Sequence, residues 1–100
     1  MAFIDISGAS GANYRFRRWP DGTGHLPVAG NFVVVLEGAF PVEVVVIGMT
    51  NDLSQARSGT KTNGEARVYT RLNVARATRE AEHADLVARW PKARVVEEEG

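Results

Sequence analysis

The chain has 100 residues and a mass of 10.9 kDa, the size of one domain. With 44% apolar and 24% charged residues it falls outside the range of disordered chains, and its zero cysteines exclude disulfides, thiol catalysis and cysteine zinc sites. The 12 basic and 12 acidic residues cancel, but Glu97, Glu98 and Glu99 form an acidic tail, so the remainder is net basic, with arginine far outnumbering lysine. No apolar run reaches the roughly 20 residues of a membrane-spanning helix, so no membrane partner is expected. The opening Met1-Ala2-Phe3-Ile4-Asp5 lacks a basic region followed by an apolar one, so no secretory signal is expected and the cytoplasm is the default location.

In chain order, residues 7–13 are small and flexible and read as a loop after a short opening segment. Tyr14-Arg15-Phe16-Arg17-Arg18-Trp19 alternates at the period of a half-buried strand, with Tyr14 and Phe16 on one face and Arg15 and Arg17 on the other. Pro20-Asp21-Gly22 ends it in a turn. Two β-branched runs, 31–36 and 42–48, joined by a Gly- and Pro-containing segment, predict a central hairpin covered on both faces. Asn51 or Asp52 is placed to cap a short helix reaching about Arg57. Ala66 to Leu72 alternates as a further strand. Asn73 then caps the longest helix, about Val74 to Trp90, whose expected apolar stripe is Ala77, Ala81, Ala84, Leu86, Val87 and Trp90 and which Pro91 stops. Residues 93–96 read as a short final strand. The expected architecture is one α/β (α+β) domain: a small mixed sheet of three to four strands with a central β-hairpin, flanked by two helices.

From Gly30 to Pro91 the order strand, strand, helix, strand, helix resembles the GIY-YIG nuclease domain. Gly30-Asn31-Phe32 stands at that family's first motif and Val46-Ile47-Gly48 at its second. Met49-Thr50-Asn51-Asp52-Leu53 looks like the turn that follows, and Glu82-His83-Ala84-Asp85-Leu86-Val87 like the segment around its metal-binding Glu. On this resemblance residues 30–91 form the core, 1–29 an N-terminal extension with a strand, and 97–100 an acidic tail. The departures fall on the chemistry: Phe32 and Val46 replace the two tyrosines, and neither has a proton to exchange.

Phosphodiester hydrolysis needs an activated water, a cation near the developing charge and a stabilised leaving group. The candidate catalytic residues are Arg57 as charge stabiliser, Tyr69 as a substitute phenol and Glu82 as ligand of a Mg²⁺ ion; the plainer alternative has Arg57 and Glu82 as solvated helix charges and Tyr69 as a core-edge aromatic. Arg15, Arg17, Arg67 and Arg71 are the candidate phosphate contacts for DNA or RNA. The resulting expectation is a GIY-YIG-like domain without the standard nuclease set that binds, or formerly cleaved, nucleic acid. The alternative is a catalytically inert interaction module, pairing a sheet edge with another protein or with its own copy. His25 and His83 have no metal-site spacing.

Overall fold

A computed structural model describes residues 3–19, 24–36, 43–56 and 66–98. Its strands are β1 (Phe3–Ser7), β2 (Asn13–Arg18), β3 (Gly30–Leu36), β4 (Glu43–Thr50), β5 (Ala66–Leu72) and β6 (Arg94–Glu98), with helices α1 (Leu53–Ala56) after β4 and α2 (Arg76–Arg89) after β5. All six strands join one sheet in the order β1-β2-β5-β3-β4-β6. Every pairing is antiparallel except β4 with β6, which is parallel and reached through the α2 crossover. The described residues form a small α+β fold with a six-stranded mixed sheet and two helices.

The sheet is wider than the three to four strands expected, and the difference lies at both edges. β1 is the opening segment, where Ile4 and Ile6 alternate with Phe3, Asp5 and Ser7. It pairs with β2 from Phe3↔Arg17 to Ser7↔Asn13 across the small-residue loop. Five residues give too short an alternation to separate from an irregular lead-in. At the other edge, the short final strand expected at 93–96 is β6, and what local pattern does not show is its parallel pairing with β4, nearly fifty residues earlier.

Strand alternation assigns the two faces. Ile6, Phe16, Val33, Val35, Val44, Ile47, Tyr69 and Leu86 form one cluster, beneath α2. Trp19, Phe32, Val34, Leu53, Ala56 and Val68 form the other, beneath α1. The two helices therefore lie on opposite faces of the sheet. Between Val34 and Val35 the register against β4 slips, so that Val45 has no opposite residue. This bulge lets Val44 reach the α2-side cluster while Val45 and Val46 both border the other.

Asp52 is the residue that caps α1: its Oδ1 accepts from the Ser54 amide at 2.9 Å and from the Ser54 hydroxyl. α2 departs more from expectation. It begins at Arg76 after Ala75, with no side-chain cap. Asn73 instead turns its amide inward, and Arg79 Nη1 donates to the Asn73 and Val74 carbonyls at 3.0 and 2.9 Å. Ala77, Ala81 and Ala84 are exposed, and the buried positions are Arg79, His83 and Leu86. The helix thus turns a largely polar face to the sheet.

Asp85 fastens α2 to the β1–β2 hairpin. Its carboxylate accepts from the Ser10 amide, the Ser10 hydroxyl and the Tyr14 hydroxyl at 2.8, 2.7 and 2.6 Å. These bonds, the Tyr14 bond foremost, hold its pKa below the usual carboxylate value, and the same bond raises that of Tyr14. Gly8 permits this approach, because a Cβ there would occupy the position of the Asp85 carboxylate.

Candidate functional site

The polar residues of α2 meet those of the sheet in one network. Arg71 on β5 forks onto Glu82, with Nε to Oε1 at 2.8 Å and Nη2 to Oε2 at 3.4 Å. Asn73 Nδ2 donates to Glu82 Oε1 and to Asn31 Oδ1, both at 2.9 Å. Asn31, fully buried on β3, donates to the Arg79 carbonyl at 3.2 Å. The Arg71 guanidinium also lies over the Tyr14 ring, 5.6 Å from its centroid. On the β6 side, buried His83 places Nε2 at 3.0 Å from Glu97 Oε2. Glu82 and His83 therefore both face the sheet, one towards β5 and the other towards β6.

The sequence-derived candidates separate on this framework. Arg57 lies outside the described residues, and α1, which ends at Ala56, packs on the face opposite α2. Tyr69 is 1% exposed within the α2-side core. Glu82 is occupied by Arg71 and Asn73, so Arg71 directs its guanidinium inward. Arg67 lies at the start of β5, its Nη1 donating to the Ala66 carbonyl at 2.9 Å. A carboxylate whose two oxygens already accept from a guanidinium has little capacity left for Mg²⁺, and that guanidinium would repel the ion. The residues around Glu82 do not fit a magnesium site. Among the described residues no group of three or more His, Asp or Glu side chains is placed to hold a metal ion.

The two hairpin positions matched to the nuclease motifs serve packing. Phe32 is 0% exposed and its ring lies against Gly48 on the paired strand, where a Cβ would overlap ring atoms. Val46 is half-buried in the cluster that contains Phe32.

The remaining two arginines lead to a different place. Among the described residues α1 packs on β3, on the face opposite α2, and not on β1 or β2. On that face a groove of about 410 Å³ is lined by Phe3, Arg15 and Arg17 from β1 and β2, by His25 and Leu26, and by Thr70 and Leu72 from β5. That volume lies in the range of small-ligand sites. The Arg15 and Arg17 guanidinium groups stand 5.7 and 5.8 Å from the centroid of the Phe3 ring. Arg15 pairs with Asp5 at 3.0 Å, a bond that lowers the pKa of Asp5 and raises that of Arg15. Arg17 has no carboxylate partner among the described residues. His25 Nε2 lies 2.8 Å from Thr70 Oγ1, and the ring meets Trp19 edge-on at 4.9 Å.

Sequence reading finds Arg15 and Arg17 through their alternation with Tyr14 and Phe16, but it misses Phe3, His25, Leu26 and Leu72. Only the Phe3 position carries a local signal, since it alternates with Ile4. The others converge through the pairing of β2 with β5. Among the described residues, no helix is long and apolar enough to cross a membrane. Scans against protein-family models, curated proteins and solved structures find no match to the chain.

Proposed function

We propose that the chain is a GIY-YIG-like domain that binds nucleic acid on the sheet face away from α2 and does not hydrolyse it. The observation that carries this reading is the groove in which Arg15 and Arg17 stand side by side over Phe3. Guanidinium groups on an open surface engage phosphate oxygens, and neighbouring planar groups take bases. The absence of hydrolysis is supported by the two motif positions that carry no hydroxyl, and by a Glu82 carboxylate engaged with Arg71 rather than open to a metal.

Titrating a fluorescein-labelled oligonucleotide by anisotropy tests the reading. Affinity is expected to fall as salt rises from about 50 to 200 mM, because cations that neutralise phosphates release counterions. The double variant Arg15→Ala/Arg17→Ala is expected to bind about tenfold or more weakly and with a shallower salt dependence. No salt-sensitive binding at about 10 μM protein, or an unaffected double variant, would overturn it.

A further inference from the structure

We infer that the groove selects single-stranded nucleic acid by receiving the face of an unstacked base, an inference that rests on the nucleic-acid reading above and specifies its ligand. Phosphate contacts alone need only cations, yet this groove combines cations with exposed apolar surface. Of the five exposed large hydrophobic side chains among the described residues, three line it: Phe3 at 46%, Leu26 at 61% and Leu72 at 56%. Scattered exposed apolar residues need no explanation, but a cluster gathered in one concave site marks a binding surface.

The shape of the ligand follows from that mixture. A duplex keeps its base faces inside the stack and offers phosphates, sugars and base edges to a protein. A single strand can turn a base outward, and rings and guanidinium planes both accept its face. The groove presents both: the Phe3 ring lies beside two guanidinium groups, and the His25 ring, braced against Thr70 and Trp19, lines the same groove. A base that enters it meets these surfaces and Leu72, while Arg17 is placed for a flanking phosphate. Because ring and guanidinium surfaces stack on any base, the site is expected to be tolerant of sequence.

The test compares a 12-nucleotide oligo-dT, a 12-nucleotide oligo-U and a 12-base-pair DNA duplex by anisotropy, using the full chain. Single strands are expected to bind about tenfold or more tightly than the duplex, and the ratio of oligo-dT to oligo-U distinguishes a DNA from an RNA ligand of the same stacking chemistry. Phe3→Ala is expected to weaken oligo-dT binding about five- to fiftyfold, since one stacked base contributes on that scale, with the salt slope unchanged. Phe3→Leu retains an apolar side chain on the edge strand while removing the ring, and a loss in the same direction is expected; its melting curve checks that the hairpin is intact. Equal binding of duplex and single strand, or unchanged oligo-dT affinity in a folded Phe3→Leu protein, would overturn the inference while leaving nucleic-acid binding itself standing. Failure of all three ligands to bind would remove the underlying reading instead.

Discussion

Replacing Glu82 with alanine is expected to lower the melting temperature by about 10 °C or more while leaving oligonucleotide affinity unchanged. Glu82 is the acidic partner of Arg71 among the described residues, and it also accepts from Asn73. Its side chain is 15% exposed and that of Arg71 31%, so both charges are substantially withdrawn from water. Removing one member of a buried pair costs about 3–5 kcal/mol because the other charge is left uncompensated. With Arg71 nearly a third exposed, solvent recovers part of that, and about 2–3 kcal/mol is the expected loss. For a domain of this size each kcal/mol shifts the midpoint by roughly 4–8 °C. Glu82→Gln, which keeps an acceptor oxygen, is expected to lose less. A catalytic metal ligand behaves in the opposite way, since its removal spares the fold and abolishes metal binding. Differential scanning fluorimetry of both variants, with and without added Mg²⁺, separates these roles: an unchanged midpoint in Glu82→Ala would contradict the network, and a Mg²⁺-dependent rise in the parent protein would contradict the account of Glu82.

Phe32→Ala is expected to be at least as damaging, at about 3–5 kcal/mol, the usual cost of deleting a buried phenyl group. Its neighbour makes the effect specific. Gly48 lies opposite Phe32 in the β3–β4 ladder, and a methyl group there would overlap the ring, Cζ included. Gly48→Ala is therefore expected to destabilise by about 1–3 kcal/mol through overpacking. In Phe32→Ala/Gly48→Ala the added methyl occupies space that the missing ring vacates, so the double variant should be more stable than the sum of the singles implies. Phe32→Tyr, which restores the hydroxyl expected at this position from the family resemblance, should also lose stability, because Cζ is the atom that would carry the oxygen. Urea unfolding of the parent and the four variants measures the coupling. Strict additivity, or a Phe32→Tyr protein more stable than the parent, would show that the ring does not fill the space over Gly48 as described.

These two sites also show what was legible in the sequence. The β3–β4 hairpin, β5, α1 with a cap at Asn51 or Asp52, and the outward direction of Arg15 and Arg17 follow from alternation, β-branched runs and turn chemistry, all of which act within a few residues. The inward face of α2 followed only in part: Leu86, Val87 and Trp90 pack on the core as expected. Reading apolar as inward selected Ala77, Ala81 and Ala84, whereas the helix buries Arg79 and His83 and half-buries Glu82. Residues 79, 82, 83, 86 and 90 share one face at helical spacing, but a polar stripe signals burial only once Asn31, Arg71 and Glu97 are known to oppose it. The groove escaped for the same reason. Arg17 and Thr70 are separated by more than fifty residues and meet only through the β2–β5 ladder.

Whether ligand meets the face of the sheet away from α2 can be read from the two tryptophan indole resonances in a ¹⁵N-resolved NMR titration with oligo-dT. Trp19 adjoins His25 at the groove, whereas Trp90 lies on the α2 side with its indole N–H donating to the Ser7 carbonyl at 3.1 Å. The Trp19 indole and the backbone amides of Phe3, Arg15, Arg17, His25 and Leu72 are expected to shift on binding while the Trp90 indole stays in place. Shifts concentrated at Trp90, Glu82 and His83, with Trp19 and Arg17 unmoved, would contradict that placement.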